Sequence, residues 1–134
     1  MDGDVLVRMF EAGEVPSQGF HHREHVQAAW HYLRHHPLPE ALARFSVALR
    51  RFAEAQGKPD LYHETITVAY LLLINERLDG TGRDLDWSAF VEANTDLLSS
   101  KPSVLDRYYD KATLASDRAR RTFVLPDRLQ SSSV

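Results

Sequence analysis

Apolar residues recur along most of this chain at the spacing of an α-helix. The clearest case begins at His21 or His22 and stops before Pro37, with Val26, Ala29, Trp30 and Leu33 at i, i+3, i+4 and i+7. The same pattern predicts a first helix ended by Gly13 and four later segments at roughly 39–56, 61–78, 102–109 and 116–121. It also predicts a short helix that begins after Asp86. Asp60, Asp86 and Ser116 are the predicted N-caps of the fourth, fifth and last of these.

These patterns predict an all-α fold, a single compact bundle of five to seven helices around a buried central helix. The predicted centre is 61–78, because its run 68–74, which includes Leu72, is apolar around the whole helix circumference. No strand-like alternation persists along the chain. Residues 1–127 are expected to form the domain, and 128–134, which end in Ser-Ser-Ser-Val, to form a disordered tail.

Composition narrows the classes of partner. The 134 residues include 16 Lys+Arg and 19 Asp+Glu, a net charge of -3, which argues against nucleic acid as a partner. There is no cysteine, so disulfides, thiolate zinc sites and a cysteine nucleophile are excluded. No apolar run in the sequence is long enough to span a membrane. The first ten residues are acidic, and their pattern does not predict a signal peptide. We therefore expect a cytoplasmic protein, with a homodimer as the commonest closed assembly.

Two histidines at the start of the second helix form the first candidate site. His22 lies four residues before Val26 and His25 four before Ala29, so both fall on the inward face of that helix. They are three residues apart, and their side chains are therefore expected to converge.

The second candidate is the polar opening of the central helix, at Tyr62, His63, Glu64 and Thr67. Buried polar groups cost free energy unless they are bonded, so these side chains require an explanation. One hypothesis joins the two sites: His22, His25 and His63 bind one divalent transition metal (Zn, Fe, Mn, Ni or Cu), and Glu64 acts as a fourth ligand or general base.

A second hypothesis needs no metal. In this case His22 and His25 cap the second helix and bond to Glu64, Thr65 or Thr67 of the neighbouring helix, as part of a structural polar network. Tyr62, Thr67, Trp30, Tyr108 and Tyr109 are the predicted lining of a pocket, although aromatic residues in such positions more often belong to the core. The later histidines of the second helix are interpreted as solvated side chains: His31, His35 and His36.

Four segments resemble those of a group of small bacterial proteins of unknown function. They are Phe-His-His-Arg-Glu-His at 20–25 with Trp30 and Leu33, Tyr-His-Glu-Thr-Ile-Thr at 62–67, Leu-Asp-Arg-Tyr-Tyr at 105–109, and Phe-Val-Leu-Pro-Asp at 123–127. The resemblance implies a bacterial source and marks the two histidine segments as features of that group. It implies no substrate, cofactor or mechanism.

Three classes of function follow from the sequence. The first is a metal-binding protein or metalloenzyme with its pocket between the second and fourth helices. The second is a non-catalytic interaction or adaptor module that binds another protein through a helical groove. The third is a metal-free protein that binds a small molecule. The sequence leaves open whether the protein is an enzyme.

Overall fold

The regular structure of the chain is helical. A computed structural model describes residues 2–128, apart from the side chain of Thr81, and no strand occurs in that range. Four longer helices come first: α1 (Gly3–Glu11), α2 (His22–His35), α3 (Leu38–Ala55) and α4 (Glu64–Arg77). Four short ones follow: α5 (Trp87–Ala93), α6 (Thr95–Leu98), α7 (Lys111–Leu114) and α8 (Asp117–Arg121). The all-α prediction is confirmed.

The described part of the chain holds eight α-helices, one more than the upper predicted number. Helices α6 and α7 contain four residues each, which is too short to produce an apolar period in the sequence. The predicted helix around Pro102 is instead a 3₁₀ turn at Val104–Arg107. Two further 3₁₀ turns occur at Pro59–Leu61 and Gly80–Asp84.

Side chains at the helix starts explain where several helices begin. The Asp86 carboxylate accepts from the Ala89 N–H at 2.8 Å, and the Ser116 hydroxyl accepts from the Ala119 N–H at 3.1 Å, so both predicted caps are present. Helix α4 differs from the prediction. His63, rather than Asp60, is its N-cap, because His63 Nδ1 accepts from the Ile66 N–H at 3.1 Å.

Helix α4 packs against α2, α3 and α8, while α1 lies across α2 and α3. The core formed between them includes Phe10, Leu33, Phe45, Leu71, Ile74, Phe90 and Leu97. The expectation that α4 is buried all round is wrong at one face, because Leu72 is 39% exposed whereas Leu71 is fully buried. The short helices that follow α4 leave this face in contact with solvent.

The segment after α8 returns to the bundle. The Thr65 hydroxyl donates to the Thr122 carbonyl at 2.8 Å and accepts from the Val124 N–H at 3.1 Å. The Tyr109 hydroxyl donates to the Val124 carbonyl at 2.6 Å, and the Arg128 N–H donates to the Tyr108 carbonyl at 2.8 Å. Arg128, the first residue of the predicted tail, is thus held by a backbone hydrogen bond, and the rest of that tail lies outside the described residues.

Over residues 2–128, every helix falls short of the length and apolar character needed to cross a bilayer.

Candidate functional site

The bundle contains a cavity of about 580 Å³ bounded mainly by α2, α3 and α4. Sites for small organic molecules commonly measure about 300–1,000 Å³. Three residues of its lining are exposed and mark its mouth: Val15, Lys58 and Leu61, of which Leu61 is 68% exposed. The cavity is therefore open to solvent beside the 3₁₀ turn that precedes α4.

Apolar side chains form most of the cavity wall. Helix α3 contributes the stripe Phe45, Leu49 and Phe52, and Phe20 closes one side with its ring centroid 4.6 Å from that of Phe52. The remaining apolar lining is supplied by Val15, Val26, Ala29, Ala53, Ile66 and Ile74. The wall is thus continuous with the hydrophobic core.

A few polar side chains also line this cavity. They are His22, His25, Gln56, Tyr62, His63, Thr67 and Tyr70. The structure therefore brings the three predicted histidines, together with Tyr62 and Thr67, to one cavity between α2, α3 and α4. Their nitrogen atoms, however, differ in what they bind.

His63 is held by hydrogen bonds at both ring nitrogens. Because Nδ1 accepts from the Ile66 N–H, the proton of the neutral ring sits on Nε2, which donates to the Leu114 carbonyl at 2.7 Å. The backbone carbonyl of His63 in turn accepts from the Thr67 hydroxyl at 2.7 Å. His63 consequently ties the start of α4 to the end of α7 and leaves no ring nitrogen for a ligand.

His22 makes a similar long-range contact. Its Nε2–H donates to the Leu97 carbonyl in α6 at 2.8 Å, and its ring meets that of Tyr70 edge-on with centroids 5.1 Å apart. The Tyr70 hydroxyl lies 3.0 Å from the Ser103 hydroxyl. These contacts connect α2 and α4 to the chain that follows α5.

His25 is the exception among the three. Within the described residues its imidazole makes no hydrogen bond, and its main neighbour is the Phe20 ring, met edge-on at 4.6 Å. Burial, and then the proximity of His22 and His21, lowers the pKa of His25 from 6.5 to about 4. The ring is therefore neutral near pH 7, with one donor and one acceptor nitrogen.

Glu64 lies outside the cavity lining and faces a different group. Its Oε1 accepts from the Tyr62 hydroxyl at 2.5 Å and lies 3.4 Å from Arg50 Nη2, and the Arg50 guanidinium stacks on the Tyr62 ring at 4.6 Å. Burial and the Glu64 carboxylate raise the pKa of Tyr62 to about 12. The proposed general base is thus engaged with a phenol and a guanidinium on the outer side of the bundle.

The geometry that the three-histidine metal hypothesis requires is not present. Among residues 2–128, one group of three potential ligands has its ligand atoms within 4.8 Å of one another, and it contains none of His22, His25, His63 or Glu64. The physical reason is that His22 and His63 direct Nε2 to backbone carbonyls. The bonds named in the second hypothesis are absent too: His22 bonds to a backbone carbonyl of α6, and no hydrogen bond joins His25 to a described residue.

Three aromatic residues predicted to line the pocket lie elsewhere. Trp30 packs against Trp87 and Phe90 on the other side of α2, with centroids 5.3 and 6.1 Å away, and its buried Nε1 has no partner among the described residues. Tyr109 is buried beside the returning segment, and Tyr108 packs there against the core. All three belong to the core and its edge, as aromatic residues in such positions usually do.

The residues of the apolar wall carry no sequence signal of a cavity. Phe45, Leu49 and Phe52 recur at helical spacing, which is equally typical of a filled core. Tyr70 was hidden within the apolar run of α4. Only the packing of α2 and α4 against α3 distinguishes a stripe that lines a cavity from one that is fully covered.

Compared with known proteins, the chain matches no protein-family model, no curated protein and no solved structure. The resemblance to a bacterial group thus stays a prediction. The fold and the site define the class of protein as an all-α bundle with a mainly apolar cavity that is open to solvent. One histidine of this cavity, His25, has no hydrogen-bond partner among the described residues.

Proposed function

We propose that the protein binds a small, mainly apolar organic molecule in the cavity between α2, α3 and α4. The observation that carries this proposal is the cavity itself, about 580 Å³ of space lined largely by apolar side chains. An apolar ligand that enters the cavity removes apolar surface of both the ligand and the protein from water. This burial stabilises the complex by about 25 cal/mol per Å² of apolar area. The volume and lining match those usual for small-molecule sites.

His25 supplies the polar contact in this proposal. Its neutral imidazole offers an acceptor to a ligand hydroxyl and a donor to a ligand carbonyl, and no described residue occupies either position. Because the ring stays neutral near pH 7, it does not require an anionic partner. The proposed ligand therefore combines an apolar body with one hydroxyl or carbonyl group.

His22 and His63 serve the same function indirectly. They hold α2 and α4 against the short helices of the second half of the chain, at the Leu97 and Leu114 carbonyls. The walls are thereby fixed before a ligand enters, which lowers the ordering cost of binding. This role accounts for the two histidines without a metal ion.

A cavity-filling substitution tests the proposal. Ile66 lines the cavity, so Ile66→Trp is expected to fill it and to abolish binding of an environment-sensitive naphthalene dye measured by fluorescence. Medium-chain alcohols and ketones should compete with the dye on the wild-type protein and raise its unfolding midpoint.

The matched control is Leu72→Trp, which adds the same indole to the exposed face of the same helix. We expect this variant to bind the dye as the wild type does. Equal dye binding by both variants, or no competition by any member of the panel, would contradict the proposal and favour the interaction-module alternative.

A further inference from the structure

A second group of histidines lies at the other end of α2, away from the cavity. His31 and His35 come from the last two turns of α2, and Asp4 comes from the first turn of α1. Each offers one ligand atom, and these atoms all lie within 4.8 Å of one another. The group combines two imidazoles with one carboxylate, a donor set common in protein sites for transition metals.

The helix brings the two imidazoles together. Residues four apart share one helix face, and the ring centroids of His31 and His35 are 4.4 Å apart. Two histidines at this spacing form a chelating pair in helical metal sites. Asp4 closes the group from α1, with its Oδ1 3.3 Å from His31 Nε2.

We propose that Asp4, His31 and His35 bind one divalent transition metal ion such as Zn²⁺. Imidazole nitrogen with a single carboxylate oxygen selects borderline ions of this kind over Mg²⁺ and Ca²⁺, which require mostly oxygen ligands. Three protein ligands leave at least one coordination position for water. The proposal is independent of small-molecule binding, because none of the three residues lines the cavity.

The surroundings favour a cation at this position. His35 is the last residue of α2, where the partial negative charge of the helix C-terminus attracts a positive ion. The guanidinium of Arg34 stacks on the Trp30 ring at 4.6 Å. Its positive charge disfavours a cation near His31, but the negative charges of Asp4 and Asp2 act more strongly on His31 in the opposite direction. Burial also limits the freedom of one ligand, since the His31 side chain is 17% exposed.

The close approach of α1 and α2 sets the position of the His31 ring. A Cβ placed on Gly3 would lie 3.0 Å from His31 Nδ1, so residue 3 leaves space for the imidazole only as glycine or with a local shift. A metal ion at the site joins the start of α1 to the end of α2. We expect it to stabilise the pairing of these two helices.

Zinc titration of untagged protein tests the site. A competition assay with a chromophoric chelator should give one Zn²⁺ per chain for the wild type. His35→Ala and Asp4→Asn should each weaken zinc binding by about tenfold or more, because each removes one ligand. Both changed residues are exposed, and the variants are therefore expected to fold normally.

His36→Ala is the matched control, since His36 is adjacent on the chain but pairs with Glu40 at 3.6 Å. This variant should bind zinc as the wild type does. Zinc should also raise the unfolding midpoint of the wild type and of His36→Ala, but raise that of His35→Ala much less.

Two results would overturn the proposal: no stoichiometric zinc binding by the wild type, or equal loss of binding in His35→Ala and His36→Ala. The Ile66→Trp variant separates the two proposals of function. If this variant still binds zinc but no longer binds the dye, the two ligands occupy different sites.

Discussion

The two ends of α2 use histidine in different ways. At the N-terminal end, His22 donates to a backbone carbonyl of α6, and the neighbouring His63 of α4 has both nitrogens engaged. At the C-terminal end, His31 and His35 keep their ligand atoms within reach of each other and of Asp4. The first set is built into the fold, whereas two members of the second set, Asp4 and His35, are exposed to solvent.

This contrast shows that the density of histidines in a sequence does not tell which ring nitrogens the fold engages. In the crowded segment 20–25, His22 bonds to a backbone carbonyl, as buried polar groups usually do, whereas His25 lines the cavity without a hydrogen bond to a described residue. The less conspicuous pair at i and i+4 lies at a helix end, near a carboxylate of another helix. The ring nitrogens of His22 and His63 therefore serve the fold, whereas within the described residues no hydrogen bond to a backbone carbonyl engages those of His31 and His35.

Among the substitutions that test this comparison, we expect the largest effect at His63, on the free energy of unfolding. His63→Ala removes the partner of the Leu114 carbonyl and the cap of the Ile66 N–H in a residue that is 8% exposed. We expect the free energy of unfolding to fall by about 2–3 kcal/mol, measured by urea denaturation.

His63→Gln is the informative companion, since its amide can replace one of the two hydrogen bonds and should recover part of the loss. Zinc affinity at Asp4, His31 and His35 should be unchanged in both variants. A His63→Ala protein as stable as the wild type would show that these hydrogen bonds do not hold α4 to α7.

The sequence predicted the longer helices well because their apolar stripes extend over two turns or more. It placed the start of α4 at 61, three residues early, because Asp60 looked like a cap whereas the true cap is an imidazole nitrogen. It also took the apolar run of α4 as fully buried, although Leu72 is exposed. The local sequence indicates which face of a helix can be buried, but it does not predict which other segments pack against that face.

The candidate site was predictable in part for a similar reason. The relation of His22 and His25 to Val26 and Ala29 placed both on the inward face, and both do line the cavity. Their bonding was not predictable. The hydrogen-bond partner of His22 is 75 residues away along the chain, and that of His63 is 51 residues away. Both partners are backbone carbonyls, and because every residue has one, the residue type does not predict them.

The next effect in size concerns acid stability. The folded-state pKa of His25 is lowered to about 4 from 6.5, so the unfolded chain binds a proton more readily than the folded one. Protonation of His25 does not reduce the free energy of unfolding above pH 6.5, the pKa of this residue in the unfolded chain. The free energy of unfolding decreases as the pH falls from about 6.5 towards 4. Between about pH 7 and 5 the loss should be about 1–2 kcal/mol.

Comparing the pH dependence of the wild type with that of His25→Gln isolates this contribution, since the glutamine cannot take up a proton. The unfolding free energy of His25→Gln should change less over the same range. Parallel curves for the two proteins would mean that His25 is not held neutral beside the cavity.

The smallest effect is expected at the exposed end of α2. Without metal, His35→Ala should change the free energy of unfolding by no more than about 0.5 kcal/mol, because the side chain is exposed and its one close ring contact is with His31. With zinc in excess the wild type gains stability through mass action and the variant gains less, so the gap between them should widen with zinc concentration. Urea denaturation of both proteins, with a chelator and then with increasing zinc, measures this gap directly. A gap that is already large with the chelator would mean that His35 serves the fold, as His63 does, and the two ends of α2 would then use histidine in the same way.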